Sequence, residues 1–291
     1  MTDTLIRTQR RVLHRTRGSG HGPITRLMSP SDLGQVVKPF VFLDLFESEG
    51  GLTDMPVHPH SGIGTITVFT RGDVHFDDPD SGTGTIGYGG VEWSRAGGGM
   101  WHGKELAADS SMRLQGFQRW VALPSELENG PSDSQYVEAS SMKRAGPATV
   151  IAGTYQGIES PVRAPEGINY LLVNLDPGEA WTYEPPPGHN IAWLAVAQGA
   201  LDAGEQVSAG EMAVFDRGEA PLQLRATGNT ETVFVLGSAV PHPHDLHLGY
   251  YSVHTSAEAL KRGERRIAEL GAKLAASGDR RMQSGATPVF R

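Results

Sequence analysis

Short runs that alternate apolar with small polar residues dominate this chain, and they predict strands. Gly64–Thr70 (Gly-Thr-Ile-Thr-Val-Phe-Thr) has the period-2 pattern of a half-buried strand. Pro39–Leu45 is apolar and rich in β-favouring residues, and Arg113–Leu123 reads the same way. Between them lie shorter candidates, Asp73–Phe76, Thr85–Tyr88, Val91–Ser94 and Met100–His102. They are set apart by Arg71-Gly72, by Asp77–Gly84, by Gly89-Gly90 and by Ala96–Gly99, all turn-like in composition. Strands this short, joined by turns this tight, suggest an antiparallel barrel or jelly roll. Ser125–Gln135 is polar, has Asn-Gly-Pro at its middle, and reads as a linker.

After that linker the grammar repeats. Ala192–Ala197, Glu205–Val207, Met212–Phe215 and Thr232–Leu236 read as strands, with Gly199 and Gly210 placed as Gly72 and Gly90 are in the first half. The expected architecture is therefore all-β: two tandem barrels, residues 1–130 and 131–291, which meet near residues 125–140. One helix is expected, about Ser256 to Ala276. Thr255-x-x-Glu258 offers a capping box, and Leu260, Ile267, Leu270 and Leu274 share one face. That face is expected to pack on the outside of a barrel.

Composition narrows the function classes. Of 291 residues, 37 are glycine and 19 are proline; glycine is nearly twice its usual share, which suits many turns. The formal charge of −8 argues against a nucleic-acid backbone as partner. The arginines between Arg7 and Arg17 are expected to be a solvated strand face. With no cysteine, thiolate ligands and cysteine nucleophiles are excluded. The N-terminus lacks an apolar signal-peptide core and no run is long enough to span a membrane, so a soluble cytoplasmic protein is expected.

Candidate chemistry centres on His58 and His60, in Val-His-Pro-His-Ser-Gly. Side chains two apart on a strand share a face, so these two imidazoles can converge on one metal ion. His102, in Gly-Gly-Gly-Met-Trp-His-Gly, ends a later strand at the distance a returning strand needs. Imidazole suits zinc, copper, iron and nickel. His14, His21, His75, His189 and His254 stand singly and are expected at the surface or in ordinary polar contacts. His242-Pro-His244, with His247 nearby, follows the last strand and is expected at the surface. The second half carries no matching ligands. Counting from Gly199 and Gly210, as the histidines count from Gly72 and Gly90, gives Pro185, Pro187 and Leu222.

His58-Pro-His60-Ser-Gly resembles a signature of the pirin family. So do Ile86–Trp93 with Ala96–His102, and so do Asp44, Trp120–Pro124 and Tyr251–Thr255 in their contexts. The resemblance covers about Val12 to Leu274. It implies a bicupin whose first barrel holds a non-haem metal, usually iron, and whose second is empty. It also implies a small-molecule ligand or substrate, and pirin-like proteins are associated with quercetin 2,3-dioxygenase activity and, in animals, with transcriptional regulation, for which the surface would contact a protein partner. This chain departs from the family at two positions. The family's fourth ligand is a glutamate two residues past the third histidine, where Lys104 stands here, with Glu105 one later. Gly64 stands where relatives carry a further glutamate. Three arrangements remain open: His58, His60, His102 and Glu105 around iron, with a bulge at Gly103 turning Glu105 inward; three histidines completed by water; or a metal-free cavity occupied by Lys104. The corresponding functions are a dioxygenase for flavonol-like or enediol substrates and a non-catalytic sensing or regulatory protein.

Overall fold

A computed structural model describes residues 9–49, 57–78, 82–103, 106–108 and 113–276. Its strands follow the alternation noted above, with ends that match or shift by up to three residues in either direction. Ile63–Arg71, Val91–Arg95, Leu114–Ala122 and Phe40–Ser48 lie side by side in an antiparallel seven-stranded sheet. Asp133–Val137 adds at one edge, and Ile24–Met28 with Ser19–His21 at the other. A second seven-stranded sheet runs in the order Val12–Thr16, Met212–Phe215, Ile191–Gln198, Thr232–Ala239, Ile168–Leu175, Ala148–Ala152 and Arg144–Ala145. Smaller sheets face each of them and complete two tandem cupin barrels. For the first these are His58–His60 with Met100–His102, and Leu106–Ala108 with Val74–Asp78 and Gly82–Ile86. For the second, Ala180–Tyr183, Leu222–Ala226, Ala200–Asp202 and Gln206–Ser208 form one four-stranded sheet.

The two large sheets pack back to back. The largest buried apolar cluster takes Ile66, Val68, Trp93 and Phe117 from one sheet and Tyr170, Leu172, Trp193 and Val235 from the other. Phe40 meets Trp193 edge-on at 5.4 Å, and the Arg119 guanidinium lies over the rings of both Phe40 and Tyr170. Because side chains alternate, the opposite face of each sheet lines its own barrel. In the second barrel that face is mostly apolar, with Asn169 and Ser238 as buried polar exceptions. Leu171, Val173, Leu194, Val196, Phe234 and Leu236 fill it together with Leu222, one of the positions expected to lack a ligand. The first barrel is different. Its inner face carries buried Thr65, Thr67, Glu92 and Ser94 between two small apolar clusters.

Several local expectations are revised. Asp77–Gly84 contains the end of one strand and the start of another, Val74–Asp78 and Gly82–Ile86. Its glycines and threonines are exposed, so no apolar alternation marks them. Within the polar stretch 125–135, the segment from Asp133 pairs with Val91–Arg95, and Glu128 is buried. Arg10 does not share the solvated face of Arg11, Arg15 and Arg17. It is buried, and its Nε and Nη2 donate to the carbonyls of Asp216 and Asn190. Arg7 lies outside the described residues.

The helix spans Ala257–Ala276 and buries Ala259, Gly263, Ile267, Leu270 and Leu274. Its N-cap is Ser256, whose Oγ accepts from the Ala259 N–H at 3.1 Å. The Thr255 hydroxyl donates instead to Glu128. The helix rests on the first barrel, against the strands that carry the histidines: Trp101 Nε1 donates to the Ile267 carbonyl at 2.7 Å. Among the described residues, no helix is long and apolar enough to cross a membrane.

Candidate metal centre

His58–His60 pairs antiparallel with Met100–His102, which sets His102 opposite His58 and Met100 opposite His60. Alternation then puts all three imidazoles on one face of a two-stranded ribbon. Their ring centroids are 4.7–5.0 Å apart, and one ligating nitrogen from each lies within 4.8 Å of the others. His60 is 1% and His102 4% exposed. Burial, then the neighbouring histidines, pushes the pKa of both well below the ordinary histidine value. Both rings are therefore neutral near pH 7, the form that binds metal.

The hydrogen bonds leave specific nitrogens available. His60 Nδ1 is 3.2 Å from the Tyr251 carbonyl. A carbonyl only accepts, so Nδ1 carries the proton and Nε2 keeps its lone pair. His102 Nε2 is buried without a hydrogen-bond partner, an arrangement that costs free energy unless something ligates it. Three imidazoles with convergent nitrogens, one oriented and one orphaned, fit a divalent transition metal.

Aromatic rings wall the site. Trp120 meets His60 at 5.0 Å and is stacked on Phe42 at 4.1 Å. Tyr251, 41% exposed, tilts over His58 and His60 at 5.6 and 5.8 Å. Neither Tyr251 nor Trp120 is singled out by local pattern as a partner of the histidines. Tyr251 is 191 positions from His60.

Glu105 and Lys104 lie outside the described residues. The strand ends at His102, and Gly103 has φ of +130°, so regular alternation does not extend past the third histidine. Gly64 proves irrelevant as a missing ligand. A Cβ there would lie 2.3 Å from the Trp93 ring, on the face packed against the other barrel and away from the histidines. The turn at Gly62, φ +73°, shifts the register between His60 and Gly64.

The remaining histidines divide. His14, His21, His75, His244 and His247 are exposed. His242 is half-buried, with burial lowering its pKa. His189 is buried against Ser238 Oγ at 2.8 Å, and His254 is buried against Ser61 and Glu128. Only His58, His60 and His102 form a metal-competent cluster among the described residues.

Comparison with known proteins agrees with this geometry. A pirin-like protein of Caulobacter vibrioides is 29% identical over 231 residues, covering 76% of this chain and 82% of its own length. A Pseudomonas aeruginosa protein provisionally named as a quercetin 2,3-dioxygenase is 29% identical over 240 residues, with the same coverage. The crystal structure of a quercetin 2,3-dioxygenase from Acinetobacter baumannii superposes with a TM-score of 0.71 at 23% identity, covering 95% of this chain and 99% of that one. Residues 23–121, which include all three clustered histidines, match the pirin domain model. With its paired cupin barrels, the histidine ribbon in the first and a pirin domain match over residues 23–121, the chain is similar to pirin-like proteins.

Proposed function

We propose that this chain is a metal-dependent dioxygenase in which His58, His60 and His102 hold a non-haem metal, iron in the first instance. Glu105 is proposed as the carboxylate that completes the set, and a flavonol-like or enediol small molecule as the substrate. The observation that carries the proposal is the convergence of three imidazoles whose ligating nitrogens lie within 4.8 Å, with His102 Nε2 otherwise unpartnered. A bound metal with open positions would supply Lewis acidity and a place for substrate and dioxygen to meet.

The chain's own residues do the rest. The Tyr251 carbonyl holds the His60 ring in one tautomer and one orientation. Trp120, stacked on Phe42, presents a flat apolar wall beside His60, which suits a planar ring and excludes water. The second barrel, filled by its own side chains, acts as a rigid backing for the first. The names of the Pseudomonas and Acinetobacter proteins support the substrate class.

The test is metal per chain after identical iron loading, followed by oxygen uptake with quercetin as the flavonol. Wild type and His242→Ala should each hold about one equivalent, and His60→Ala should hold essentially none. Equal loss in both variants overturns the site. A fully loaded wild type that takes up no oxygen with quercetin overturns the oxygenase.

A further inference from the structure

Beside the three histidines lies a second buried cluster that the metal site does not consume. Ser61 directly follows His60. Its Oγ is 3.0 Å from His254 Nε2 and 2.8 Å from Ser252 Oγ. His254 Nδ1 donates to Glu128 Oε2 at 3.2 Å. The same carboxylate accepts from the Thr255 N–H and the Thr255 hydroxyl, both at 2.7 Å. Ser61, His254 and Glu128 are all at least 97% buried.

Serine, imidazole and carboxylate in series is the arrangement that activates a nucleophile in hydrolases. The surroundings exclude that use here. Ser61 is 0% exposed. A Cβ on Gly263 would lie 2.4 Å from Ser61 Oγ, and one on Gly62 would lie 2.8 Å from His254 Nε2. No acyl group fits in that space. The Gly62 N–H, the nearest candidate for stabilising an oxyanion, already donates to the Gly97 carbonyl at 2.7 Å.

What the cluster does reach is the turn that carries Tyr251. Ser252 Oγ donates to the Tyr250 carbonyl at 2.8 Å, and the Val253 N–H donates to the Ser61 carbonyl at 3.2 Å. Ser61 and Ser252 thus form a bridge between the histidine strand and the C-terminal segment. Between these anchors Tyr251 sits at φ +50°, a left-handed conformation that non-glycine residues hold only when their neighbours force it. Its carbonyl is the group that accepts the hydrogen bond from His60 Nδ1–H.

We infer that His254, held by Glu128, is a positioning residue of the metal centre: through Ser61 and Ser252 it keeps the Tyr251 carbonyl on His60 Nδ1. The inference rests on the metal-binding role of His60 proposed above. A relay of this kind serves a metal site as outer partners of ligating histidines generally do, by fixing the tautomer and the direction of the lone pair.

Two measurements test it. The first needs no substitution: long-range proton–nitrogen NMR on the metal-free wild-type protein reports which His60 nitrogen is protonated. Nδ1–H is expected, and Nε2–H overturns the inference. The second is cobalt(II) titration, read by its visible ligand-field bands, for wild type, His60→Ala, Glu128→Gln, His254→Gln and His254→Phe. Glu128→Gln and His254→Phe should weaken cobalt binding by about 10- to 100-fold and alter the bands of the saturated complex. His254→Gln, which keeps a polar group near Ser61, should recover part of both. A merely structural role would lower the melting temperature and leave the saturated spectrum unchanged, which overturns the inference. So would folded variants with wild-type affinity, or labelling of Ser61 by a fluorophosphonate. A wild type that takes no cobalt fails the metal site itself; a wild type that binds, beside variants that match it, fails only the role of His254.

Discussion

At the scale of single residues, Gly64 and Lys104 look alike in sequence, each at a position where the family resemblance implies glutamate. Yet Gly64 faces Trp93 and the neighbouring barrel, not the histidines. Gly64→Glu should therefore add no metal affinity. It should also destabilise strongly, by several kcal/mol, because it drives a charge into a packed aromatic contact. Lys104→Glu tests the other position. If Lys104 opposes the metal by charge, the substitution raises iron per chain after identical loading. If Glu105 already serves, Lys104→Glu changes little and Glu105→Ala strips the site. Unchanged iron in both variants leaves a three-histidine site, or none, as the reading. The histidine triplet was legible because strand alternation is a local rule that carries His58 and His60 to one face. Tyr251 and Trp120 were not legible as their partners, because nothing in a local window joins positions brought together only by the closed fold.

At the scale of elements, the legible strands were those that alternate apolar with small polar residues, although the structure buries both of their faces where the pattern predicted a half-buried strand. Ile63–Arg71 and Val91–Arg95 announce themselves by alternation, whereas Gly82–Ile86 is mostly exposed and shows none. The terminal helix was legible from its apolar stripe, but its start was misplaced by one residue. Thr255 has the side chain of a cap and spends it on Glu128, so Ser256 caps instead. Ser256→Ala should lower unfolding free energy by about 0.5–2 kcal/mol in urea denaturation and fray the first turn in hydrogen exchange. Thr255→Ser keeps the hydroxyl and should stay near wild type in the same assay. A loss in Thr255→Ser as large as in Ser256→Ala would return the cap to Thr255.

At the scale of the whole molecule, the duplicated barrel could be read from the recurrence of strand and glycine spacing. Hidden from any such count was the exchange of ends. The strand Val12–Thr16 pairs with Met212–Phe215 in the second large sheet, while the C-terminal helix and the turn at Tyr251 rest on the first barrel. Each barrel thus wears the terminus of the other half. A fragment of residues 1–130 contains all three histidines but not Tyr251 or His254, and should bind cobalt(II) far more weakly than the full chain by titration. A fragment that matches the full chain would show the exchange to be dispensable.

That exchange also orders events in time. Translation delivers the histidine ribbon first and Tyr251 149 positions after His102. At roughly 5–20 residues per second, the gap between them is about 7–30 s. During that interval the emerging ribbon has its three imidazoles but lacks the carbonyl that chooses the His60 tautomer, the tyrosine over the mouth and the helix behind Trp101. Whatever ion a ribosome-bound chain meets, it meets an unfinished cage. All of these parts are present together only once the chain has been made as far as the helix around Ile267.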